Sequence, residues 1–149
     1  MMRFVFVCVI ICLLFSCTEE KVAIDGNWQW VFTNDHDQTH QVRVQLNHQD
    51  ADEVLGFYCS SYALGEFLDC ADSDSNQKNV PNIVLNRISP IKFSGTFRSN
   101  RSGDDDKVGK INVTYFKSND NLYFNLEEEP DGSFYFPDGV EFKRMESEK

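Results

Sequence analysis

Few side chains in this 149-residue sequence could do chemistry: His36, His40 and His48, five cysteines, and the acidic runs Asp72-Ser73-Asp74, Asp104-Asp105-Asp106 and Glu127-Glu128-Glu129. His36 and His40 stand four apart, which suits a metal ion only on a helix, where such positions share a face. Asp37-Gln38-Thr39 between them reads as a hairpin loop, so all three histidines are expected in loops flanking one strand. Each acidic run offers oxygens to calcium, which takes roughly six to eight, but none has the spacing of an EF-hand loop. Solvated turn carboxylates are the reading kept. Two carboxylates flanking a cleft can cleave a glycoside, yet nothing in the spacing pairs any two of these. There is no Gly-x-Ser-x-Gly elbow, no Cys/His couple with an orienting group, and no phosphate-binding or dinucleotide loop. No catalytic residue, metal or cofactor is assigned.

The cysteines are better explained by compartment. Arg3 is the lone charge of the first sixteen residues, and an apolar run from Phe4 to Phe15 follows it. That run is too short to span a bilayer, which takes about 20 residues, and with its positive start it describes a signal peptide. Leu14-Phe15-Ser16-Cys17 also resembles the lipobox of bacterial lipoproteins, with Phe15 bulkier than usual at its position. The resemblance implies a signal peptide over residues 1–16, cleavage before Cys17, and acylation of Cys17 as the new N-terminus. It further implies a tether over residues 17–23 and a domain over 24–146. Several acyl chains would hold such a protein on a membrane. Thr18, in place of the aspartate that retains many such proteins at the inner membrane, makes the outer membrane the expected address, on its periplasmic or its outer side. Cys8 and Cys12 would leave with the signal peptide. Cys59 and Cys70 remain, and in an exported protein such a pair reads as a disulfide.

The domain reads as strands. Trp28, Trp30 and Phe32 share one face, and Val42, Val44 and Leu46 alternate with polar neighbours. Leu55, Phe57 and Cys59 are expected to form a third inward set, with a fourth strand from Phe67 to Cys70. A turn at Leu64-Gly65 would set Cys59 opposite Cys70, within disulfide reach. Ile83 to Ile88, then Ile91, Phe93, Gly95 and Phe97, then Ile111, Val113 and Tyr115, then Leu122, Phe124 and Leu126 continue the pattern. Gly95 is expected at a bend or bulge. Turn signals at Pro130-Asp131-Gly132 and Pro137-Asp138-Gly139 bracket a strand expected at Phe134-Tyr135-Phe136, and Val140 and Phe142 close the chain. The fold expected is all-β, an antiparallel up-and-down barrel of about 8–10 strands, because closure removes sheet edges. A β-sandwich is the alternative.

Gly26-Asn27-Trp28 resembles the Gly-x-Trp opening of lipocalins and related calycin barrels, although the other lipocalin motifs are missing. In that superfamily the tryptophan plugs one barrel end beneath an arginine of the last strand. The resemblance implies that role for Gly26, Trp28 and Arg144, and it speaks for a fold rather than a reaction.

A net charge of −10 denies the chain the basic field that nucleic-acid binding draws on. Acidic loops instead suit a cationic protein partner. The first functional expectation is a membrane-anchored binding module, an inhibitor of a cationic envelope enzyme such as a lysozyme being one form. The second is a carrier of a small apolar or amphipathic ligand inside the barrel, motivated by the ten phenylalanines that follow residues 1–16, with five tyrosines and two tryptophans. A hydrolase is the least supported. Tyr58, Tyr123 and Tyr135 are expected to face outward as contact aromatics.

Overall fold

A computed structural model describes residues 22–62, 66–70, 80–99, 107–131 and 134–146. The expected signal peptide, the Cys17 expected to carry lipid, the Leu64-Gly65 turn and the aspartate runs at 72–74 and 104–106 lie outside the described residues. Nine strands form one antiparallel sheet: β1 (Gly26–Thr33), β2 (Thr39–His48), β3 (Glu53–Tyr62), β4 (Glu66–Cys70), β5 (Ile83–Ser89), β6 (Lys92–Phe97), β7 (Gly109–Phe116), β8 (Asn121–Glu128) and β9 (Val140–Arg144). Eight of them, all but β4, close into a barrel, since β1 pairs with both β2 and β9 and β3 pairs with both β2 and β5. One closed sheet sets aside the sandwich. No helix occurs among the described residues.

The alternation that builds the barrel is visible in β2, where Val42, Val44 and Leu46 are buried between exposed Arg43, Gln45 and Asn47. On β3 the inward face is the opposite of the expected one. Val54, Gly56, Tyr58 and Ser60 point in, while Leu55, Phe57 and Cys59 point out. Register explains the exchange: Val44 faces Tyr58 and Leu46 faces Gly56, so the β3 partners of inward β2 residues must also be inward. Gly56 is small for a reason. A Cβ there would come within 2.7 Å of Leu46 Cδ2 and 3.1 Å of Ile83 Cβ.

Gly95 is likewise a point of close approach, not a bulge. Its β5–β6 pairing with Leu85 is regular, and an added Cβ would lie 1.8 Å from the Val84 carbonyl oxygen. The expected strand at Phe134-Tyr135-Phe136 is irregular chain. Instead of extending the sheet, Phe136 turns into the barrel and packs on Phe97, Phe124, Tyr58 and Phe142 with ring centroids 4.9 to 5.7 Å apart. Phe124 and Phe142 meet at 4.7 Å and Tyr58 and Phe97 at 5.0 Å. Filling the interior with rings removes large apolar areas from water, at about 25 cal/mol per Å².

Two ends follow from the strand directions. The entry end holds the start of β1, the end of β9 and the β2–β3, β5–β6 and β7–β8 turns. At the other end β1, β2, β3 and β4 run on past the barrel wall. There β1 pairs only with β2 from Trp30 to Thr33, because its pairing with β9 stops at Trp28 and Gln29. On the far side β3 leaves β5 after Gly56 and takes β4 over Cys59–Tyr62. The result is a four-stranded flap rising from the rim.

Candidate functional site

The barrel's inward face continues onto the flap, where Val42 and Ser60 are buried, Trp30, His40 and Tyr62 half-buried, and Phe32 exposed. Cross-strand pairing places Trp30 and Val42 on one level and Phe32, His40 and Tyr62 on the next. Side chains paired directly across strands share a face, so an aromatic row crosses three strands. Trp30 stacks on Phe32 with centroids 6.1 Å apart and planes 6° from parallel. The His40 ring stands edge-on to Trp30 at 5.4 Å and to Tyr62 at 6.2 Å. The Tyr62 hydroxyl donates to Gln38 Oε1 at 2.5 Å, which ties the row to the β1–β2 turn. Within that turn the Asn34 carboxamide oxygen accepts from the His36 and Gln38 amides, and Asp37 takes a positive φ of 58° that aspartate tolerates. Phe32 is 53% exposed and its neighbour Val31, on the other face, 50%.

The row is bounded by an open edge. Asn27 O accepts from the Met145 amide on the β9 side, and Asn34 N donates to Gln38 on the β2 side, so odd-numbered β1 residues turn their main chain toward β9. Past Gln29 that leaves the main-chain groups of Val31 and Thr33 without a strand partner among the described residues. An open groove of about 470 Å³ lies along this seam, lined by Gln29, Trp30, Val31, Glu141, Lys143 and their neighbours. The edge from Gly26 to Thr33 carries neither proline nor charge, the usual devices that discourage strand pairing.

The disulfide staples this region. Cys59 and Cys70 are bonded and directly opposed, so the bridge fixes β4 against the part of β3 that β5 has left. On the inward face beneath it Asp69 is buried, accepting from the Tyr58 hydroxyl and from Ser99 Oγ at 3.1 Å. Tyr58 is thus an interior residue, not an outward contact aromatic; Tyr135 is 38% exposed and Tyr123 half-buried.

Nothing in the sequence signalled the hydrogen bond between His40 Nε2 and Ser60 Oγ, 2.8 Å long and joining residues 20 apart. Only the β2–β3 register brings them together. That distance suits a nucleophile and its base, but Ser60 is fully buried, and among the described residues no carboxylate orients the other imidazole nitrogen. Burial holds His40 below the ordinary histidine range, so the ring is neutral near pH 7. The pair anchors the row. His40 and His48 are strand residues at the two ends of β2; only His36 lies in a loop.

At the entry end Arg144 lies over the Trp28 ring, 4.1 Å from its centroid. Its Nη1 donates to Asp25 O at 2.5 Å and its Nε to Asp120 Oδ2 at 2.7 Å. Trp28 is fully buried and donates to Ile24 O. Gly26, with φ of +124°, lets the chain turn beside the guanidinium, which a Cβ would approach to 2.9 Å. Beside this plug His48 Nδ1 bonds Asp25 at 2.6 Å while Arg87 Nη2 reaches His48 Nε2 at 3.1 Å. Because arginine only donates, Nε2 must accept, which puts the imidazole proton on Nδ1 facing Asp25. Both nitrogens are engaged, so this Asp–His couple closes the barrel and offers no general base. The Asp25 carboxyl is pushed up by burial and more strongly down by the His48 amide and ring, ending below the usual range. Asp120 is likewise lowered, chiefly by Arg144. Of the acidic runs, Glu127-Glu128-Glu129 is described: Glu128 pairs with Lys107 and Lys110. Among the described residues no three histidine, cysteine or acidic side chains gather as a metal site.

No protein-family model matches the chain, and no curated protein and no solved structure matches it significantly.

Proposed function

We propose that this chain is an exported lipoprotein, anchored through Cys17 at the outer membrane, whose barrel presents the flap as a binding surface for a protein partner. The observation that carries the reading is the row Phe32–Trp30–His40–Tyr62, a set of touching rings on the flap with Phe32 exposed and the other three half-buried. Aromatic side chains dominate the centres of protein interfaces because they bury much area at little entropic cost. Rigid supports help. The disulfide, the Tyr62–Gln38 bond and the His40–Ser60 bond hold the row without a partner, which lowers the ordering cost on binding.

The net charge of −10 favours a cationic partner, and a lysozyme-like envelope enzyme is the form proposed for it. The carrier reading draws no support from the interior, which is filled by Phe97, Phe124, Phe136, Phe142 and Tyr58. The test is a titration of residues 18–149 against lysozymes and other cationic cell-wall hydrolases, reading both binding and residual hydrolysis. Sub-micromolar binding, weakened at least tenfold by Trp30→Ala or Phe32→Ala and weakened again by salt, is expected. Binding that ignores both substitutions and salt would refute the reading.

A further inference from the structure

Large apolar side chains exposed to solvent gather at both ends of the barrel. At the flap end Phe32 belongs to the row just described and Val31 to the other face of β1. At the entry end Ile88 is 64% exposed, Phe116 40% and Ile91 38%; Ile88 and Phe116 sit at the ends of β5 and β7 and Ile91 in the β5–β6 turn, so all three lie at the tips of two neighbouring hairpins, β5–β6 and β7–β8. The Tyr115 amide donates to Ile91 O, which locks one turn beside the other. This end is also where the chain enters. The Val22 amide donates to Pro90 O at 3.3 Å, and Arg87 Nη2 donates to Val22 O at 3.0 Å, so the N-terminal segment is bound to the same β5–β6 turn.

Cys17 lies five residues before Val22. At about 3.5 Å per residue a tether of that length reaches at most ~17 Å. An acyl group on Cys17 would therefore keep Pro90 and its neighbours within ~17 Å of the bilayer, close enough to touch it.

We propose that the entry end docks on the membrane surface, with Ile88, Ile91 and Phe116 inserted at the headgroup boundary. The flap then points away from the lipid toward its partner. This inference rests on the reading of Cys17 as the lipid anchor. The charges at this end are mixed: Lys92 and Lys117 flank the trio, Arg87 faces Asp52, and Asp50 stands on the adjacent turn. Apolar insertion rather than headgroup charge is what orients the barrel. Apolar side chains at the headgroup boundary add buried area to the attachment that the acyl chains supply.

The test uses residues 17–149 with the disulfide formed, in which Cys17 is the single remaining thiol. Coupling it to a maleimide lipid in vesicles of phosphatidylethanolamine and phosphatidylglycerol, 3:1, supplies the anchor whether or not a cell acylates it. Amide hydrogen exchange is then compared between tethered and untethered protein. Amides from Ile88 to Lys92 and from Phe116 to Asp120 are expected to slow at least fivefold on tethering. Those from Asn34 to Gln38 in the β1–β2 turn should not change. Replacing Ile88, Ile91 and Phe116 together by serine should abolish the protection without unfolding the barrel, as checked by a melting curve. Equal exchange at the two ends, or protection that survives the triple replacement, overturns the proposal. Whether bacteria acylate Cys17 is read separately, from the intact mass of the full chain extracted from membranes.

Discussion

Arg144→Ala removes three interactions at once, and their sizes can be set out. The guanidinium over the Trp28 ring at 4.1 Å is a half-desolvated cation–π contact, about 1 kcal/mol. The charge-assisted bond from Nη1 to Asp25 O adds about 1.5 kcal/mol. The pair with Asp120 is half-exposed and screened, so it contributes about 0.5 kcal/mol. Together the loss is about 3 kcal/mol, a drop of roughly 10 °C in Tm for a domain of this size. Residues 18–149 carrying Trp30→Phe, so that Trp28 is the one tryptophan, would be unfolded in urea and by heat, with indole fluorescence as the local signal and circular dichroism as the global one. Arg144→Lys keeps the charge but cannot span ring, carbonyl and carboxylate together, so it should recover less than half of the loss. A loss under about 1 kcal/mol for Arg144→Ala, or full recovery by lysine, would refute the idea that the arginine clamps the barrel end.

Acidification should weaken the fold in two stages. Burial holds His40 below the ordinary histidine value of about 6.5, so the unfolded chain takes up a proton that the fold resists, and stability falls as pH drops through that region. Asp25 and Asp120 are held below 3.8, and the stability they contribute is present above about pH 4 and lost as pH falls further. Melting curves from pH 8 to 3 test this, and His40→Gln should erase the first stage alone. Reduction of Cys59–Cys70, eleven residues apart, should cost about 3 kcal/mol by loop entropy, measured as a shift in urea midpoint with and without reductant. Gly95→Ala drives a methyl into the Val84 carbonyl and should cost more than about 2 kcal/mol; an unchanged midpoint would show that β5 and β6 can separate freely.

What the sequence told of this fold was local, and what it hid was not. The period-two runs in β2, β7 and β8 gave their own faces because each is polar on one side and apolar on the other. The run Val54-Leu55-Gly56-Phe57-Tyr58-Cys59 is apolar on both, so alternation was ambiguous there and pairing with β2 decided it. Cys59 opposite Cys70 was legible because a short hairpin fixes its own register. Phe134-Tyr135-Phe136 has strand composition, yet its Phe136 is needed to fill the barrel, and packing overrode propensity. The aromatic row is harder still. Alternation puts Trp30 and Phe32 on one face, but that Phe32 stays exposed there depends on β1 parting from β9 after Gln29, a long-range event with no local signature. The His40–Ser60 bond is hidden for the same reason.

The central claim is that the flap meets a protein partner while the entry end faces lipid. A photoreactive phenylalanine analogue placed at Phe32 in the full chain, expressed in a bacterial envelope and illuminated, tests it most directly. The expected result is one protein adduct of defined mass, absent when Trp30 is also changed to alanine and absent when the analogue sits at exposed Lys110 on the barrel wall. Adducts of the same pattern from both positions, or none from position 32, would contradict the account.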